Sequence, residues 1–256
     1  MQGPGVFRAV TARLWPAVAL TFVLFGRGAA AQMMDVDGLL TDAAAVPRAA
    51  TVRVFGSGGG QSGPSDGSGA VGSVAGSLLW VPFQNFGGDL GAYYQTGRSG
   101  PAARVRYQVL GQDWAGVDLT LGARYKSEGF SELGHGEVEG IVALGRSFGR
   151  FDLVLNFVYG AGIGDPGMDA ELKSLIGWRF SDTFRLGGEV RIQSEIHDED
   201  GWKAPAMVTT DIIGGPAAFW RVARPLTLQV LAGVTKPAGS TEAGFIALAG
   251  LSIDLN

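Results

Sequence analysis

Val117-Asp118-Leu119-Thr120-Leu121-Gly122-Ala123-Arg124-Tyr125-Lys126 puts apolar and aromatic side chains on odd positions and interleaves polar residues and glycine on even ones. Successive side chains of a strand point to opposite faces, so this period of two predicts a strand with one apolar and one polar face. Phe151-Asp152-Leu153-Val154-Leu155-Asn156-Phe157-Val158-Tyr159-Gly160 repeats the pattern, as does Phe184-Arg185-Leu186-Gly187-Gly188-Glu189-Val190-Arg191-Ile192-Gln193. The segments run for about 10 residues, whereas strands of soluble sandwiches usually have about 5 or 6. A tilted strand needs roughly 9 to 11 residues to cross a bilayer, and lipid offers no partner to a free backbone edge, so such strands must close on themselves. The fold class predicted is all-β, a closed antiparallel transmembrane β-barrel.

Working outward from these segments, strands are expected near 50–56, 69–81, 87–97, 102–111, 115–127, 136–147, 151–162, 170–180, 184–196, 205–222, 226–236 and 242–255. An even number returns both termini to one side, as in single-chain bacterial barrels. Tight connections (Pro82–Phe86, Gly111–Trp114, Ser147–Arg150, Ser181–Thr183, Ala223–Pro225) alternate with longer ones (Ser57–Ser68, Gly97–Pro101, Ser127–His135, Ile163–Asp169, His197–Ala204, Lys236–Thr241). Short periplasmic turns facing longer outer loops have this asymmetry. Ile213-Gly214-Gly215-Pro216 sits inside a strand, where proline removes a ladder donor, and a bulge or kink is expected there. The run Gly56–Gly63 is followed by no Gly-Lys-Ser/Thr and reads as a flexible loop.

Amphipathic rings gather at membrane interfaces. Trp80, Phe83, Phe86, Trp114, Phe148, Phe151, Phe180, Phe184 and Trp220 fall beside the tight turns, and Tyr94, Tyr125 and Tyr159 fall toward the other rim. Two such girdles point to a bilayer around the barrel.

Composition agrees. The chain has 256 residues, 42 of them glycine, only 17% charged, and no cysteine, which removes disulfides, thiolate metal sites and cysteine nucleophiles. Arg8 and Arg13 precede an apolar core, Leu14–Phe25, and Ala29-Ala30-Ala31 supplies small residues, so residues 1–31 read as a signal peptide cleaved before Gln32. Its loss removes Arg8, Arg13 and Arg27 and takes the formal charge from −4 to −7, a balance that disfavours nucleic acid as a partner. Residues 32–49 lack alternation and are expected as a short periplasmic N-terminal segment or a plug-like extension. Residues 50–256 are expected to form the barrel.

With the polar face turned inward, the lumen is lined by basic and acidic residues in near balance. The candidates for lumen charge or permeation are Arg104, Arg106, Arg124, Lys126, Asp118, Glu137, Glu139, Arg185, Glu189 and Arg191. Arg104 and Arg106 on one strand and Arg124 and Lys126 on the next suggest a local basic ladder along one wall. Opposite charges in a lumen narrower than that of 16-stranded porins also tend to pair and close it. His135, near Ser131 and Glu132, and His197, heading His-Asp-Glu-Asp-Gly, read as solvated loop residues, and no serine-centred hydrolase motif accompanies them. Asp198-Glu199-Asp200 lacks the spacing of a calcium loop, so no metal or cofactor is expected.

The pattern over residues 50–256 resembles the Gram-negative outer-membrane β-barrel proteins as a broad class. The chain ends Gly250-Leu251-Ser252-Ile253-Asp254-Leu255-Asn256, similar to the C-terminal assembly signal of that class but closing on Asn256 rather than an aromatic residue. The resemblance implies outer-membrane lipid, lipopolysaccharide and the outer-membrane insertion machinery as partners. It also implies a non-enzymatic role, as a narrow channel for small solutes or ions. The alternative is a scaffolding barrel, closed by ion pairs, that anchors an envelope-spanning motility or export complex through periplasmic proteins.

Overall fold

The computed structural model describes residues 37–47, 51–61, 71–95, 98–131, 133–163, 167–197, 206–237 and 241–255. The expected signal peptide and Asp198–Asp200 lie outside them. The described residues form twelve strands: β1 (Thr51–Gln61), β2 (Val71–Phe83), β3 (Phe86–Gln95), β4 (Arg98–Leu110), β5 (Asp118–Ser127), β6 (Gly136–Phe148), β7 (Phe151–Ile163), β8 (Met168–Arg179), β9 (Phe184–His197), β10 (Ala206–Ala223), β11 (Leu226–Lys236) and β12 (Gly244–Asp254). Each pairs antiparallel with its neighbours in sequence, and β1 pairs with β12, so the sheet closes into a barrel with no free edge.

Three of the tight connections use residues that accept a left-handed backbone. Asn85 (φ 69°) and Gly149 (φ 62°) make the β2–β3 and β6–β7 turns, and Gly116 (φ 79°) ends the helical turn α1 (Gln112–Ala115) between β4 and β5.

Three local expectations are corrected. The glycine run does not begin a loop at Ser57, because β1 continues to Gln61, with Gly56 opposite both Leu251 and Gly76 and Gly60 opposite both Ala247 and Gly72. In a closed wall the backbone is paired on both sides, and this pairing overrides the weak strand preference of glycine. The connection expected over Gly97–Pro101 is shorter, since β4 starts at Arg98. No bulge occurs at Ile213–Pro216. There β10 keeps one register with β9, and the irregularities lie at Met207/Thr209 and Arg221/Ala223. Gly214, Gly215 and Gly233 instead let strand backbones come together so closely that a Cβ at any of them would collide with a neighbour.

The outer surface is apolar. Val74, Leu90, Phe157, Leu172, Val230 and Phe245 each expose half or more of their surface. Trp80, Phe83, Trp114, Phe148, Phe151, Phe180 and Trp220 are exposed around the tight-turn end, with Phe86 and Phe184 stacked or tilted against Phe83 and Phe180 at centroid distances of 5.1 and 5.9 Å. Tyr94 and Tyr159 are exposed toward the other end. An apolar belt with aromatic rims is the surface a bilayer requires.

Candidate functional site

A cluster of cations lines the inward faces of β4, β5 and β8. Arg104 stands directly opposite Arg124 across β4 and β5, two residues from Arg106 on one side and Lys126 on the other. Lys173 extends the set from β8. The opposite wall differs: Ile213, Ala217 and Phe219 of β10, Leu231 of β11 and Ile246 of β12 turn buried apolar side chains inward. The lumen therefore has a patch of cations, interleaved with Asp89, Glu139 and Glu171, across from an apolar stretch of β10–β12 whose buried cluster continues through Ala143, Val154 and Leu175 of β6, β7 and β8.

Residues 37–47 lie inside this lumen. The segment expected to be periplasmic or plug-like is thus, over these residues, a plug. Its two faces match the two walls. Ala44 is fully buried in the apolar cluster, with Leu39, Leu40 and Ala45 packed beside it, and Val46 forms a second cluster with Leu79 and Val81 near the tight-turn end of β2. Asp37 pairs with Arg104 and, at 3.0 Å, with Arg106. Asp42 pairs with Arg104 and lies 3.8 Å from Arg124 and 3.7 Å from Lys173.

Hydrogen bonds fix the backbone of the plug. The Glu189 carboxylate, fully buried on β9, accepts from Leu39 N (3.1 Å), Leu40 N (2.8 Å), Thr41 N (3.0 Å) and Thr41 Oγ1 (3.0 Å). Asn156 accepts from Asp42 N at 2.7 Å and donates to Asp42 O at 3.0 Å. Thr120 donates to Ala44 O, Gln229 to Asp37 O, and Gln108 accepts from Val46 N. Buried backbone groups without strand partners must be satisfied in some way, and here wall side chains from five strands, β4, β5, β7, β9 and β11, do it. Gly38 is required for the turn, because a Cβ there would run into Thr41 Oγ1 and the Glu189 carboxylate.

Burial alone would raise the Asp37 and Asp42 carboxyls. Arg104 and Arg106 around the first, and Lys173, Arg124 and Arg104 around the second, outweigh it and hold both well below the ordinary carboxylate range.

The sequence-derived candidates divide into groups. Arg104 and Arg106 also meet Asp89 (3.0 and 3.3 Å), Arg124 pairs with Glu139, and Lys126 with Glu139 (2.5 Å) and Glu137 (3.6 Å), so the basic ladder exists and is paired along its length. Glu189 holds the plug. Asp118 belongs to the tight-turn end, where it accepts from Gln108 and from Gln112 N and so anchors α1. Arg185 is sealed against Asp152 (3.4 Å) and stacks on Phe219 (3.9 Å), and Arg191 lies 3.9 Å from Glu171. His135 is exposed in the β5–β6 connection, and His197 ends β9.

Sequence reasoning missed Asp37 and Asp42, and with them the apolar wall. One signal was present: at Ile213, Ala217 and Phe219 the inward phase of β10 is apolar, which requires something apolar within the lumen.

Beyond the plug, a cavity of about 1250 Å³ extends from Asp37–Asp42 to Gln95, Gly136, Gly162 and Met168 at the loop end of the strands. Arg104, Arg124, Lys126 and Lys173 reach it from one side and Phe55, Ser57 and Ser77 from the other.

No protein-family model and no curated protein matches the sequence. Solved structures do match. The NanC porin superposes with a TM-score of 0.58 at 10% identity, over 79% of this chain and all of that one. The KdgM porin, in complex with disordered oligogalacturonate, gives 0.54 at 12% over 80% of this chain and 99% of that one. An outer-membrane channel from Pseudomonas putida F1 gives 0.54 at 11% over 82% and 97%. At these identities the likeness is one of fold, and the fold of this chain is that of the outer-membrane β-barrel channels.

Proposed function

We propose that the chain is a non-enzymatic outer-membrane channel for small solutes, closed at rest across its tight-turn half by residues 37–47. The observation that carries this reading is the division of the lumen: a cavity of about 1250 Å³ at the loop end whose floor is the plug itself. A barrel built only as a scaffold has no need of an open vestibule. A channel with that vestibule and a hydrogen-bonded floor has both a solute entrance and a gate. The apolar belt and the aromatic rims support placement in a bilayer, and the porin fold supports passage as the role.

The test is single-channel current from the folded mature chain in a planar bilayer, beside the double variant Asp37→Asn with Asp42→Asn. Few and brief openings are expected from the parent and sustained conductance from the variant. If both are silent while both keep the heat-dependent gel shift of a folded barrel, the channel reading is overturned. The scaffold anchoring an envelope-spanning complex then becomes the reading to pursue.

A further inference from the structure

The plug shows what chemistry the lumen walls accept. It presents carboxylates to one wall and leucine and alanine side chains to the other. Asp42 is held by charge more than by fit, since its Oδ2 is buried without a hydrogen-bond partner and the nearest cation on that side, Lys173 Nζ, is 3.7 Å away. A buried carboxylate oxygen short of a partner forfeits part of the stabilisation that a better placed acceptor would gain. Neither wall is complete without an occupant. Without the plug, Arg104, Arg106, Arg124 and Lys173 would lose two of their counter-charges, and Ile213, Phe219, Leu231 and Ile246 would face water. A hydrophilic acid would satisfy the first wall and leave the second wet, and a neutral hydrocarbon would do the reverse.

We propose that the two walls form a binding site for an amphipathic organic anion, an alkyl or aryl carboxylate, and that this solute opens the channel by displacing residues 37–47, which occupy its place. The inference rests on the channel reading for its consequence but not for its chemistry. Binding puts the solute carboxylate among Arg104, Arg124 and Lys173 and its apolar body against Phe219, Leu231 and Ile246. Opening follows by competition, because a ligand shifts an equilibrium only by its preference for one state over the other.

The chain has no cysteine, so Ala44→Cys gives a unique reporter at a fully buried plug position. The full mature variant, folded in detergent, is treated with a small thiol reagent in the presence of phenylacetate, benzyl alcohol, glucuronate or acetate. Phenylacetate is expected to speed labelling about tenfold while the other three leave it nearly unchanged. Glucuronate as effective as phenylacetate would overturn the role of the apolar wall, and benzyl alcohol as effective would overturn that of the cations. No acceleration by any of them would overturn the proposal outright. The conductance of the parent with phenylacetate gives a second readout if the cysteine variant fails to fold. Silence of the Asp37→Asn, Asp42→Asn barrel would sink the channel reading separately, since phenylacetate-dependent labelling would still stand or fall alone.

Discussion

Arg104 and Arg124 face each other across the β4–β5 pair, and both reach the carboxylate of Asp42. Like charges directly opposite on a sheet destabilise it. The plug therefore neutralises a repulsion built into the wall. Removing one partner of a buried ion pair costs about 3 kcal/mol, so Asp42→Asn should move the closed-to-open ratio by roughly a hundredfold or more. Channel open probability checks this. An open probability equal to that of the parent would mean that Asp42 does not hold the plug.

Glu189 acts on the backbone of the plug. Its two oxygens accept four hydrogen bonds from residues 39–41, and an amide at this position keeps a single acceptor oxygen. Charge-assisted bonds are each worth about 1.5–3 kcal/mol. Glu189→Gln should raise amide hydrogen exchange at Leu39, Leu40 and Thr41 by at least about tenfold while the strand amides of β9 stay protected. Unchanged exchange at those three amides would remove Glu189 as the latch.

The barrel was legible in the sequence because its outer face follows from one rule. Val117–Lys126 and Phe151–Gly160 alternate since lipid faces one side and the lumen the other, and that period survives whatever the lumen contains. The plug obeys no period. Its partners Arg104, Asn156, Glu189 and Gln229 are distant in sequence, and Asp37 and Asp42 are recognisable only once closure has brought those strands around them. The glycine run of β1 was misread for a related reason. Local composition favours a loop, and only the pairing with β2 on one side and the closing strand β12 on the other makes it a wall.

Acid should open the channel through the two plug carboxylates. A carboxyl depressed in the docked state adds stability that is complete above its undocked value, near 3.8, and is lost as pH falls below it. The parent should thus stay closed from neutral pH down to about 4, and its closed state should weaken progressively as pH falls further. The groups facing these acids are Asp89, Arg104 and Arg106 from β3 and β4, Arg124 and Glu139 from β5 and β6, Glu171 and Lys173 from β8, and Glu189 from β9. All of them remain in the Asp37→Asn, Asp42→Asn variant, so the difference between the two pH profiles isolates the plug acids. The variant should be open at neutral pH and show no further step on acidification. An acid step of equal size in both proteins would place the titration elsewhere.

The outer face allows a graded test of what surrounds it. Leu90 lies midway along β3 with 70% of its surface exposed, and Phe83 lies beside the β2–β3 turn with 57% exposed. On a water-facing surface arginine would be tolerated at either position, because exposed substitutions away from special features cost little. In a bilayer the cost depends on depth, about 2–4 kcal/mol at the midplane and about 0–1 near the interface. Leu90→Arg should therefore destabilise the lipid-folded barrel by about 3 kcal/mol and Phe83→Arg by less than about 1. Denaturant titration in lipid vesicles measures both. Equal costs at the two heights, or none at either, would mean that the apolar belt does not face hydrocarbon, and the channel reading would lose its membrane.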